Sequence, residues 1–183
     1  MTTTSRTELS IAYGIVAMTV IVTASNFLVQ YPINDWITWG ALTYPVAFLV
    51  TDLTNRRLGA QSARRVVYVG FALAVILSIV LATPRIAIAS GSAFLIAQLL
   101  DVYVFNRLRE ARWWLAPLVS SALGSVVDTA LFFTLAFAGS GDPWITWALG
   151  DLGVKLAVAL IMLVPFRLLI AASVPLAQGD ATS

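Results

Sequence analysis

Six apolar runs follow one another along this chain, each long enough to cross a bilayer as a helix, with only short polar breaks between them. They cover about residues 9–29, 37–53, 66–82, 86–105, 115–137 and 145–170. A helix needs roughly 17–25 mostly apolar residues to span the hydrocarbon core, and it satisfies its own backbone polar groups there. The breaks carry turn and charge signals: Tyr31-Pro32-Ile33-Asn34-Asp35, Asn55-Arg56-Arg57-Leu58-Gly59, Thr83-Pro84-Arg85, Arg107–Arg112 and Gly139-Ser140-Gly141-Asp142-Pro143. The pattern predicts an all-α integral membrane protein with six transmembrane helices, residues 1–183 forming a single transmembrane domain. Met1–Glu8 and Pro175–Ser183 read as polar tails.

Composition closes the soluble alternative. With 60% hydrophobic residues and 11% charged ones in 183, a water-exposed domain of this size would be left with large apolar patches. Cysteine and histidine are both missing, so no disulfide, thiolate nucleophile or Cys/His metal site is expected, and no cofactor is called for. The net charge of +2 does not require a nucleic-acid partner, because the arginines follow topology. Arg6, Arg56, Arg57, Arg64, Arg65, Arg107, Arg109, Arg112 and Arg167 all fall on one side of six crossings, and the opposite loops hold Arg85 alone. By the positive-inside rule both termini are expected in the cytoplasm.

The informative residues are ionisable groups at membrane depth: Asp101 in the fourth run, Asp128 in the fifth, Asp151 and Lys155 in the sixth, and Asp52 near the inner end of the second. Each carboxylate at a helix centre costs roughly 2.5–3.5 kcal/mol to insert. They must be paired, hydrated or both. Gln98 and Asp101 share a helix face, as do Ser121, Ser125 and Asp128. Asp151 and Lys155 stand four apart and can bridge; read blandly they are a self-neutralising pair. Asp52 reads equally as an ion pair with the neighbouring arginines. For Asp101 and Asp128 no intramembrane cation suffices, since Lys155 serves one of three aspartates, and water, a proton or a polar ligand must enter.

Other features have packing readings. Ser10/Gly14, Ala93/Ala97 and Gly124 permit close helix approach; Ser10/Gly14 could instead be a docking face for another membrane subunit. Pro45 is expected to kink the second helix. Trp36-Ile37-Thr38-Trp39 recurs as Trp144-Ile145-Thr146-Trp147, as an outer aromatic belt would.

At these residues the sequence resembles the queuosine precursor transporter family, also described as vitamin uptake transporters. The resemblance runs from about Asn26 to Arg167. It rests on Trp39-Gly40, Tyr44-Pro45, Thr51-Asp52-Leu53-Thr54, Ala63-Arg64-Arg65, Pro84-Arg85-Ile86-Ala87, Trp113-Trp114-Leu115-Ala116-Pro117, Asp128-Thr129 and Asp151 with Lys155. The stretch from Gln98 to Arg109 carries it most specifically. The resemblance implies six helices arranged like the substrate-binding subunits of energy-coupling-factor vitamin importers. It also implies import of 7-cyano-7-deazaguanine, or its aminomethyl relative, across the bacterial inner membrane for tRNA modification. A homodimer is left open.

Such a ligand is flat, with donors on its amidine edge and one acceptor carbonyl. Asp101 or Asp128 is expected to take the amidine edge, with Gln98 and Asn26 as helpers. Arg85 and Lys155 would orient carboxylates, Asp151 among them, or meet the carbonyl. Tyr44, Phe94, Trp39 or Trp147 would cover the ring faces. Two alternatives compete: a subunit of a multi-component vitamin or nucleobase importer, and an intramembrane aspartyl protease built on Gly150-Asp151.

Overall fold

The computed structural model of the chain describes residues 3–28, 31, 33–34, 36–37, 39–78, 84–141 and 143–171. Among them are seven helices and no strand: α1 (Thr3–Leu28), α2 (Trp39–Thr43), α3 (Val46–Leu58), α4 (Ala60–Ser78), α5 (Pro84–Leu108), α6 (Leu115–Phe137) and α7 (Trp144–Ala171). The run expected over 37–53 is broken rather than bent. Pro45 has no N–H to give and its ring excludes the carbonyl of the preceding turn. α2 therefore stops at Thr43, and α3 starts afresh from Pro45 at φ −62° and ψ −16°.

α3 runs on to Leu58, and α4 begins at Ala60, six residues before the apolar run at Val66. Arginine is a good helix former and keeps its charged head in water, so the basic segment is helical and not a loop. Gly59 alone separates the two helices, at φ +85°, a conformation side chains resist. The expected free tail at Met1–Glu8 is likewise helical from Thr3, and Glu8 pairs with Arg65 of α4 at 3.2 Å. Residues 29 and 79–82, where the first and third runs were expected to end, and the tail Pro175–Ser183 lie outside the described residues.

Small residues set the closest approaches. A Cβ on Gly14 would stand 3.0 Å from Val66, and one on Gly70 would stand 2.7 Å from Met18, so α1 and α4 press together here. Gly14 is thereby used inside the bundle. α5 and α6 pack along most of their length, with Ala93 and Ala97 fully buried. A Cβ on Gly124 would lie 2.7 Å from the ring of Phe48 on α3 and 3.4 Å from the Ala97 carbonyl. At this depth α3 meets α6 through an aromatic ring seated on a glycine.

The outside is apolar. Tyr13, Val16 and Val20 on α1, and Leu160, Ile161, Val164 and Leu168 on α7, are all more than half exposed. A surface of this kind is stable against lipid, not water. Among the described residues, four helical stretches are long and apolar enough to cross a membrane: Thr7–Leu28, Ala87–Leu108, Leu115–Phe137 and Trp144–Ala171. The chain is a multi-pass, all-α membrane protein.

The arginines gather at one end and bond carbonyls there. Arg56 donates to the Arg109 carbonyl (2.6 Å) and Arg109 returns a bond to the Arg56 carbonyl (2.9 Å). Arg57 donates to the Leu169 carbonyl at 2.6 Å. These bonds satisfy orphan carbonyls at helix C-termini. They also fix the ends of α3, α5 and α7 in one plane. Arg85 does the same at the opposite end, donating to Leu135 and Ala138 at the close of α6.

Candidate functional site

Two buried polar layers cross the bundle at different depths. The deeper one is a cage around Lys155. Its ammonium lies 2.7 Å from Asp128 on α6 and 2.5 Å from Asp151 one turn back on α7. It also lies 3.2 Å from the Thr129 hydroxyl, and all three ammonium hydrogens are thereby accounted for. Thr129 donates to Asp151 at 2.8 Å. Tyr44, at the break between α2 and α3, donates its hydroxyl to Asp128 at 2.8 Å, and its ring sits 5.2 Å from the ammonium. One lysine thus serves two aspartates, where the sequence suggested one, and the residue beside the helix break ties α3 to the cage.

Tyr44→Phe keeps the ring and deletes the donor. It is expected to cost about 1.5–3 kcal/mol, the value of a hydrogen bond to a charged group. A lower unfolding temperature in detergent would register it, and an unchanged one would count against the bond.

The second layer lies toward the arginine-rich end. Asp52 of α3 is 2% exposed and Asp101 of α5 is fully buried, and their carboxyl groups lie within hydrogen-bonding reach of each other. Ser120 and Ser121 of α6 each donate to Asp52 at 3.3 Å, long for hydroxyl bonds. Among the described residues no arginine forms an ion pair with Asp52; Arg56 and Arg57 donate to carbonyls. Above this pair Thr51 donates to Gln98 at 2.6 Å, and below it Asn55 donates to the Val102 carbonyl at 3.0 Å. α3 and α5 are therefore joined by a polar seam. Several of its atoms have no partner among the described residues: both oxygens of Asp101, the Gln98 amide nitrogen and the Asn55 amide oxygen.

Between the layers, α3 stands away from α6 and α7 and leaves a narrow cleft, which as it stands has room for about one water molecule. Asp52, Ser121 and Ser125 form its polar wall, while Phe48, Met162 and Phe166 supply apolar surface. The Ser125 hydroxyl is buried and unpartnered among the described residues. Ligand sites combine apolar walls with a few convergent polar groups; this cleft has that lining in a narrow form, which has to widen to admit a ligand.

The expected site residues separate accordingly. Tyr44, Asp128, Asp151 and Lys155 come together in the cage. Gln98 and Asp101 belong to the seam, and neither lines the cleft. Arg85 is exposed at the far end, and Asn26 is half-buried in the last turn of α1. Phe94 is buried behind Tyr44, ring centroids 5.7 Å apart. Trp147 packs on Phe137 at 5.6 Å, and Trp39 is exposed. Sequence reasoning did not single out Phe48 and Phe166, whose apolar neighbourhoods look like any other stretch of core.

Comparison with known proteins adds an independent line. The profile of the family described as "Putative vitamin uptake transporter" matches residues 38–83 and 77–170. A protein of Haemophilus influenzae named "Probable queuosine precursor transporter" is 40% identical over 79% of each chain. The "Queuosine precursor transporter" of Escherichia coli is 38% identical over the same shares. A Bacillus subtilis protein named like the first is 30% identical over 69% of this chain and 68% of its own. No solved structure matches.

Proposed function

The chain belongs to the queuosine precursor transporter family, and on that premise we propose that it carries a queuosine precursor of the 7-deazaguanine class, 7-cyano-7-deazaguanine or its aminomethyl relative, into the cytoplasm through the cleft between α3, α6 and α7. The supporting observation is the cleft itself, with its carboxyl group, two hydroxyls and two phenyl rings converging at depth. A deazaguanine needs just such surroundings. Its amidine edge offers parallel N–H donors that one carboxylate can accept, and its flat faces lie against aromatic rings. Asp52 meets that edge, Ser121 and Ser125 bond the remaining polar atoms, and Phe48 and Phe166 cover the ring.

The cage is the fixed partner of this cleft. Ser125 lies one turn before Asp128 on α6, so whatever holds Asp128 holds the polar wall. The chain crosses a plasma membrane six times in this reading, α2 and α3 together forming one crossing. The arginine-rich end and both termini face the cytoplasm.

Purified protein in liposomes is expected to take up labelled 7-cyano-7-deazaguanine in preference to guanine, with no ATP and no second protein. Ser125→Ala, which takes one hydroxyl from the polar wall without adding volume, is expected to lower that uptake about five- to tenfold with the fold intact. Equal uptake of guanine would overturn the substrate, and uptake that requires an added ATPase would make the chain a subunit of a larger importer.

A further inference from the structure

We propose that Asp52 and Asp101 together bind one proton that enters with the ligand, so that import is driven by the proton gradient; this rests on the transport reading above. The reasoning starts from charge. Two carboxylates in contact and shielded from water repel strongly unless a proton lies between them. Here the contact joins α3 to α5, with both residues at most 2% exposed.

No described cation takes the proton's place. On α3 and in the turn after α5, Arg56 and Arg109 bond each other's carbonyls, and Arg57 bonds that of Leu169. On α7, Lys155 is held by Asp128 and Asp151, and Arg167 lies over Trp113. On α4, Arg65 meets Glu8 of α1 and Arg64 is exposed. Arg107 lies over Tyr103 of its own helix, while Glu110 and Arg112 are exposed in the turn that follows. The groups that touch the pair from α6 are the hydroxyls of Ser120 and Ser121. Among the described residues, no group of three or more His, Cys, Asp or Glu side chains stands together to hold a metal ion here. The unpartnered amide atoms of Gln98 and Asn55, both fully buried and placed one turn to either side, belong to the same seam. They offer a donor and an acceptor to a water that would feed the proton in.

The link to the ligand is Asp52, which belongs to both the pair and the cleft wall. With the proton resting on Asp101, Asp52 presents a carboxylate to the ligand's donors and α3 stays closed on α5. With the proton gone, two bare carboxylates push α3 away and the cleft loses that wall. In each cycle a proton from outer water forms an O–H bond with one carboxylate. That bond breaks on the inner side, where water accepts the proton.

The test uses the intact protein in liposomes with labelled 7-cyano-7-deazaguanine. One proton per ligand against a gradient of one pH unit, acid outside, is expected to give about tenfold accumulation. Addition of the ligand is expected to acidify the lumen, read by a trapped pH dye. Asp101→Asn is expected to lose accumulation while still exchanging internal for external ligand. Should that variant not fold, the dye measurement on the wild type decides alone. Exchange without accumulation or acidification in the wild type overturns proton coupling and leaves the transporter standing, and accumulation driven by a sodium gradient does the same. Absence of exchange in the wild type overturns both.

Discussion

Lys155→Met is expected to lower the unfolding temperature in detergent by about 6–20 °C and to abolish uptake. The substitution keeps most of the side-chain volume and removes one charge. It leaves Asp128 and Asp151 facing each other at depth, with hydrogen bonds from Tyr44 and Thr129 as their remaining described partners. Removing one partner of a buried ion pair costs about 3–5 kcal/mol. For a chain of this length each kcal/mol shifts the unfolding temperature by about 2–4 °C, which gives the range stated. The loss should be curable. Adding Asp128→Asn and Asp151→Asn removes the orphaned charges together, and replacing a whole buried network is often close to neutral. The triple variant is expected to recover most of the stability. Thermal unfolding of Lys155→Met within a degree or two of the wild type would mean that these charges are not buried together.

Gly124→Ala should injure transport more than its single methyl suggests. The new Cβ would lie 2.7 Å from one ring atom of Phe48 and 3.2 Å from another, so the ring has to move, and that ring is a wall of the cleft. Overpacking of this kind costs about 1–3 kcal/mol. Borne wholly by the ligand-binding geometry, that is about a 5- to 150-fold loss of affinity. Phe48→Leu in the same chain frees the space and is expected to restore uptake in part. A double variant no better than Gly124→Ala alone would break the proposed link between this contact and the cleft.

Much of this arrangement could be read from residue order, and what escaped did so for definable reasons. α6 runs over Leu115–Phe137 as the apolar run does, because both its ends coincide with a change from apolar to polar residues. α3 and α4 extend beyond the apolar runs because α3 continues through Arg56 and Arg57 and α4 begins ahead of Arg64 and Arg65, residues that helices accept. The bridge from Asp151 to Lys155 follows from spacing within one helix. The bond from Tyr44 to Asp128 spans 84 positions and depends on how α2 breaks, which no periodicity reports.

The pairing of Asp52 with Asp101 was within reach. Asp52 stands six residues before the end of α3, Asp101 seven before the end of α5, and Ser120 five after the start of α6. At 1.5 Å per residue all three come to a common depth of about 8–10 Å from the arginine-rich end. Counting depth from the basic loops would have placed them in one layer. The cleft could not be found that way, since it depends on how far α3 stands from α6 and α7.

The cage also bears on how the chain enters a membrane. α7 carries Asp151 and its counter-charge one turn apart, so it emerges from the ribosome already neutralised in that turn. α6 emerges earlier, with Asp128 and no cation of its own. Left alone in lipid, that acid opposes insertion by about 2.5–3.5 kcal/mol. Only about six residues separate the two helices. Waiting at the translocon for α7 and entering as a hairpin lets α6 cross with its charge already met, which makes membrane insertion of α6 depend on the sequence that follows it.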